Sequence, residues 1–184
     1  MDKAEGRSVS LKFVLNSEDS VHFNIQHSKK TIVIADIFYF VLFVFIIFVL
    51  SLQGYSDFRS IAMILGIGIL SALAVTAFIT LIFYYLLKLK SKRIFATDTI
   101  AQQEQSYIIT DDGIDISTVS GTGKVNWNEV YRAKEYKTGF AIYVASNKAF
   151  IIPKNAFADD GQIRLFKEIL DSHLESAKLK VKRT

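Results

Sequence analysis

The sequence predicts an α+β protein in two parts: a two-helix transmembrane hairpin and a cytoplasmic β-rich domain closed by one C-terminal helix. Three observations carry this. Two uncharged or nearly uncharged apolar runs are each long enough to cross a bilayer. The C-terminal half changes to short alternating stretches separated by turn residues. The charge is unevenly spread, with the positive excess beside the apolar runs.

The first thirty residues form a cytoplasmic arm. Ser8–Leu15 places Val9, Leu11, Phe13 and Leu15 at alternate positions, the period of a strand with one buried face. A lone strand is not stable in water, so this one is expected to pair with the C-terminal sheet. Asn16 or Ser17 then caps a helix whose first turn carries Glu18 and Asp19, and that helix continues into the first span.

Residues 31–93 form the hairpin, with spans at about 31–52 and 61–87. Ile32–Leu50 contains 18 apolar residues in 19, and Ile61–Leu87 runs 27 residues without a charge. Both exceed the roughly 18 residues that a crossing needs. The first begins after a charged arm and lacks a small-residue cleavage site, so it is not a removable signal. Lys29 and Lys30 precede the first span, and Lys88, Lys90, Lys92 and Arg93 follow the second. The connector holds Arg59 alone among basic residues. This bias places both termini in the cytoplasm and the connector outside.

Two features lie inside the hairpin. Asp36 is the one ionisable residue within a span. The expected partner is Lys88 across the hairpin, or Lys29 and Lys30, in an intramembrane ion pair; an ion or proton site is the sharper alternative. Gly68 and Ala72 form a small-xxx-small pair, which permits close packing against the first span or a second copy of the chain.

Residues 94–184 form the cytoplasmic domain. Strands are expected at Thr99–Thr110, Ile114–Ser120, Lys124–Trp127, Val130–Tyr136, Phe140–Ala145 and Lys148–Ile152. Asp111-Asp112-Gly113 and Gly121-Thr122-Gly123 are read as turns, and Pro153 as the end of a ladder. Asp159 or Asp160 caps a final helix with Ile163, Phe166, Ile169, Leu170, Leu174 and Ala177 on one face. Lys178, Lys180, Lys182 and Arg183 then suit a helix C-terminus or an anionic surface.

Composition excludes several functions. High apolar and aromatic content excludes intrinsic disorder, and the absence of Cys excludes disulfide scaffolds, Cys-ligated zinc and thiol catalysis. The net charge of +4 is not a nucleic-acid footprint. Residues 94–184 carry twelve basic and twelve acidic side chains, and the surplus lies upstream, around the spans. Gly121-Thr122-Gly123-Lys124 lacks the remaining residues of a phosphate loop, and Asp111-Asp112-Gly113 lacks the spaced ligands of a calcium loop. His22, His27 and His173 occur in no catalytic or metal motif. No catalytic residue, cofactor or metal is expected. Trp127, Lys148 and Lys154 are the candidates for contact with a partner or with lipid head groups.

The ordered series carries a resemblance. An N-terminal strand, the Glu18-Asp19 helix start and two spans lead to Asp112-Gly113, Trp127-x-Glu129-Val130, Tyr143, Ile152-Pro153-Lys154 and Phe157. This resembles the YcxB-like family of bacterial membrane proteins. The resemblance implies a C-terminal domain of bacterial pleckstrin-homology-like type, a β-sandwich or barrel with a C-terminal helix. Bacterial domains of that fold include immunity factors against membrane-active peptides and envelope-stress components.

The expected function is non-enzymatic. The chain would hold a cytoplasmic binding or regulatory module at the lipid bilayer for a protein partner, engaged through exposed sheet edges or loops. The alternatives are an immunity or envelope-protection factor, and an accessory subunit of a transporter or membrane enzyme that uses Asp36.

Overall fold

The computed structural model describes residues 7–54 and 57–181. Residues 55 and 56 of the expected connector, and Lys182 and Arg183 of the basic tail, lie outside the described residues. The fold divides into two units. One is built from residues up to Phe23 together with those from Ser91 onward; the other is Asn24–Lys90.

Among the described residues the first unit contains eight strands: β1 (Ser8–Val14), β2 (Glu104–Thr110), β3 (Gly113–Thr118), β4 (Gly121–Val125), β5 (Arg132–Glu135), β6 (Gly139–Tyr143), β7 (Ala149–Pro153) and β8 (Leu179–Lys180). They form two four-stranded sheets, ordered β1-β2-β3-β4 and β7-β6-β5-β8. All pairings are antiparallel except β5 with β8. The helix α3 (Asp160–His173) follows, capped by Asp159, whose Oδ1 accepts from the Gln162 amide at 2.8 Å.

The N-terminal strand pairs as expected. β1 lies antiparallel to β2 from Ser8↔Thr110 to Val14↔Glu104, with Val9, Leu11 and Phe13 turned inward and their neighbours outward. These side chains meet Tyr107, Ile109, Ile114, Phe140, Ile142, Ile152, Phe166, Ile169 and Leu170 in one core shared by both sheets and α3. Phe13 stacks on Tyr107 with ring centroids 5.3 Å apart.

Several boundaries differ from expectation, each for a local reason. The strand expected from Thr99 starts at Glu104. A turn intervenes, held by the Ala101 amide on Asp98 Oδ1 and by the Gln102 side chain on the Phe95 carbonyl. Gly121–Gly123 is strand rather than turn, because Val119-Ser120 makes the reversal, with Ser120 held by Gln103. Trp127 opens a short 3-10 helix, Trp127–Glu129, because Glu129 reaches back to the Asn126 amide. The final helix ends at His173; Leu174 is extended and Ala177 falls beyond it. Lys178 and Lys180 are therefore not on a helix: the Lys178 carbonyl accepts from the Ala133 amide and Lys180 lies in β8. At the Asp112-Gly113 turn the expectation holds, since Gly113 has φ +145° and a side chain there would strike the Val125 carbonyl.

The helices α1 (Ser17–Gly54) and α2 (Phe58–Thr97) are long and apolar enough to cross a membrane. Asn16 caps α1: its Oδ1 accepts from the Asp19 amide, and Asp19 returns a bond to the Asn16 amide. Within the second unit, Asp36 meets Thr80 while Ile47, further along α1, meets Gly68, earlier in α2; the helices run antiparallel. Phe38, Leu70, Phe78 and Leu81 are each more than 60% exposed. A core helix of a water-soluble protein would bury such side chains.

Leu11→Ala is expected to cost about 2–5 kcal/mol, as for other fully buried leucines. Chemical denaturation of the full chain in detergent, followed by Trp127 fluorescence, measures it.

Candidate functional site

A cleft of about 670 Å³ opens within the first unit. Its apolar lining includes Ile94, Phe95, Tyr107, Ile116 and Phe150, and exposed Ile100 stands at its edge. Its cause is visible in β4. Successive strand residues face opposite sides, so Gly121 and Gly123 share the face of buried Val125. Both lack side chains, and a Cβ built at either would meet nothing within 4 Å. The missing side chains leave the space empty above Ile116, which pairs with Gly123.

Two strand edges border this cleft. β4 ends one sheet and β7 ends the other, and both line it without pairing to each other. Lys148 is exposed at its rim without an ion-pair partner among the described residues, whereas Lys124, on the opposite face of β4 from the two glycines, lies across from Asp115. Asp98 also lines it, with one carboxylate oxygen already accepting from Ala101. Tyr107 lies at the floor, its hydroxyl donating to Gln105 Oε1 at 3.0 Å. Burial pushes this phenol above the ordinary tyrosine value, so it remains a neutral donor.

Of the expected contact residues, only Lys148 is at this cleft. Lys154 is held elsewhere, with Nζ 2.7 Å from Glu135 Oε1, while Lys167 approaches the other oxygen at 3.1 Å. The Glu135 side chain is 6% exposed, and two ammonium groups compensate that buried charge. Trp127 is likewise engaged within the unit. Its indole N–H donates to the Thr110 and Asp111 carbonyls, and its ring stacks on His173 at 5.2 Å.

His173 in turn belongs to a clasp. Its Nε2 is 2.9 Å from Asp111 Oδ1, which also takes Arg7 Nη2 at 2.6 Å. Arg7 reaches the Ser172 hydroxyl as well, so the chain preceding β1, the β2–β3 turn and the end of α3 are tied together. The hydrogen bond from His173, then that from Arg7, holds the Asp111 carboxyl below its ordinary value of 3.8.

In the second unit, Asp36 does not pair with Lys88. Its carboxylate accepts from Thr80 Oγ1 at 2.7 Å. Lys88 lies two helical turns further along α2, about 12 Å by the helical rise, too far for its side chain to reach that level. Among the described residues, no ion pair joins Asp36 to Lys29 or Lys30 either. Asp36 and Thr80 line a groove of about 740 Å³ with His27, Thr31, Tyr39 and Phe83. Gly68 packs on the first helix: a Cβ there would lie 2.6 Å from Ile47 Cγ2, and Ala72 is buried on the same side one turn later. Among the described residues, no group of three or more His, Asp or Glu is placed to hold a metal ion.

The class so defined is an α+β protein with two helices long and apolar enough to cross a membrane and a two-sheet unit with an open cleft. A family model described as YcxB-like protein matches residues 109–170. The chain is 28% identical over 149 residues to "Uncharacterized protein YcxB" of Bacillus subtilis (strain 168), covering 79% of this chain and 80% of that protein. The resemblance to YcxB-like proteins is thereby borne out. No solved structure matches the chain.

Sequence reasoning missed the cleft because it took Gly121 and Gly123 for turn residues. Their spacing of two, on the strand period, was the available signal. The partners of Asp111, Glu135 and Asp36 left no local signal, since each arrives from a distant segment.

Two outcomes are expected. Gly68→Val should lower the thermal stability of the protein in micelles by about 1–3 kcal/mol through overpacking, while Gly66→Val, with open space around it, leaves the melting temperature unchanged. The second concerns acid. The folded Asp111 carboxyl titrates below 3.8, so its contribution is present above that value and disappears as pH falls through the folded-state value. Asp111→Asn should therefore show a flatter loss of stability below pH 3.8 than the parent in acid titrations.

Proposed function

We propose that this chain is a two-span protein of the bacterial cytoplasmic membrane that binds a protein partner non-enzymatically through its two-sheet unit. Both termini face the cytoplasm, as the lysines flanking the apolar runs favour. The two-sheet unit is of pleckstrin-homology-like type. Two mainly antiparallel sheets around one core, with a helix near the C-terminus, support that reading.

The observation that carries the binding role is the cleft. Concave sites with an apolar floor and a few polar rim groups are where ligands are most often held. Here the floor is aromatic and aliphatic, Lys148 and Asp98 stand at the rim, and exposed Ile100 lies beside it. A membrane anchor would hold such a site at the bilayer and raise its effective concentration toward partners in the same membrane.

Mild cross-linking of the full chain in native membranes, followed by co-purification, tests this. The parent should retain one protein in near-stoichiometric yield. Ile100→Glu combined with Lys148→Glu should reduce that yield about tenfold, and Asp36→Asn should leave it unchanged. Loss with Asp36→Asn, but not with the cleft variant, would shift the function to the helix pair and favour an accessory-subunit role.

A further inference from the structure

We infer that the outward face of β5 and β8 is a docking surface for the anionic phospholipid head groups of the bilayer, with Arg132, Lys134 and Lys180 as its contacts. None of these residues lines the cleft. The inference goes beyond the partner-binding role proposed above and rests only on the membrane attachment included in it.

The ladders put the three cations on one side. Ala133 is fully buried in the core, and Glu135, on the same face of β5, takes Lys154 and Lys167. Arg132 and Lys134 alternate with them and so face outward. Lys180 is the partner of Lys134 in the parallel pairing, while Leu179, opposite Ala133, packs against the core. From β6, Tyr143 and Ala141 lie opposite Arg132 and Lys134 and share the outward face.

The side chains are set to receive an anion. The Arg132 guanidinium carbon lies 4.6 Å from the centroid of the Tyr143 ring and 5.7 Å from that of exposed Tyr131. Stacking fixes the plane of the group without consuming its hydrogen bonds. Among the described residues Arg132 has no carboxylate partner, and its buried Nε has no hydrogen-bond partner. A planar cation held in this way matches the paired oxygens of a phosphodiester. Lys134 lies over the Tyr136 ring at 4.7 Å. Lys180 is exposed and has no carboxylate within ion-pair distance among the described residues. Asp19, the acid that borders Tyr136, already accepts from the Asn16 amide.

The bilayer is the occupant that the chain itself keeps within reach. Phe23 of α1 packs on Tyr136 and Tyr143, with ring centroids 6.1 Å apart in both pairs. The apolar run of α1 begins at Ile32, nine residues later. Nine residues span at most about 30 Å even when extended. The face is thus tethered beside a surface rich in phosphate, where each Lys or Arg gains attraction from anionic lipid. A soluble polyanion has no such tether. A second copy of the chain is disfavoured, because it would set the same cations against one another.

The test uses the full chain with a benzophenone amino acid in place of Tyr131, or separately of Ile108 on the outward face of β2, or of Phe78 in the apolar part of α2. Each protein is irradiated in native membranes and in phosphatidylcholine vesicles with or without phosphatidylglycerol. Mass spectrometry identifies the attached molecule. From position 131 the expected adduct is phospholipid, and phosphatidylglycerol in the mixed vesicles. Its yield should fall about tenfold without phosphatidylglycerol, at high salt, and in the pair Arg132→Gln with Lys180→Gln. Lys180→Gln alone, at an exposed site, should lower it severalfold and keeps the test open if the Arg132 change unfolds the protein. Trp127 fluorescence should be the same in the parent and in Lys180→Gln.

A protein adduct from position 131, whether with another chain or a second copy, would overturn the inference. So would a lipid adduct that is equally strong from position 108, or one insensitive to phosphatidylglycerol, to salt and to the substitutions. Lipid adducts from position 78 with none from 131 overturn it and leave the membrane attachment standing. No lipid adduct from either position overturns both.

Discussion

The β1–β2 ladder is the pairing on which the rest of the first unit depends. Its partners are about a hundred positions apart in the chain, from Ser8↔Thr110 to Val14↔Glu104. Closing so long a loop costs about 4 kcal/mol in chain entropy. Burying Val9, Leu11, Phe13 and Leu15 returns roughly 6–12 kcal/mol. Burial exceeds closure, so the chain leaves this unit after Phe23, forms two long helices, and returns by Ser91 to complete the same sheet. The domain is therefore discontinuous. A fragment starting at residue 94 lacks a strand whose side chains lie among those of both sheets and α3.

The cleft follows from a second constraint, the economy of one edge strand. β4 spends two of its three inward positions on glycine, so its sheet closes against the core only at Val125. A valine or leucine at those positions would have space and would suit a strand better. Glycine there lowers local stability and leaves volume unfilled. Cavities of this kind cost packing energy, and a site that must admit another chain is one place where that cost is matched by a gain on binding.

Charge is used in contrasting ways in the two units. In the first, Glu135 is nearly buried and held by Lys154 and Lys167, and Asp111 gathers Arg7 and His173 at a partly exposed clasp. These pairs consume basic residues that looked available for contact. Lys148 stands at the cleft rim, with Asp98 also on the lining. In the second unit, Asp36 accepts a hydroxyl hydrogen bond from Thr80 in place of an ion pair. A neutral donor one helix away is near enough, whereas the flanking lysines sit nearer the ends of the apolar segments.

Properties set by local pattern were determined by the sequence alone. The two long apolar helices, the strand period of residues 8–15, the Asp159 cap and the Asp112-Gly113 turn depend on neighbouring residues, and they appear where that pattern puts them. The need to pair residues 8–15 with the distant sheet also followed, because an amphipathic strand must bury one face. Tertiary structure decided what depends on distant partners. Lys154 turns to Glu135, Trp127 stacks on His173, and Asp36 meets Thr80 because the fold places those groups within a few ångströms. The cleft belongs to the same class. Two glycines at strand spacing become an opening only when β3 lies beside them and a second sheet stops short of covering them.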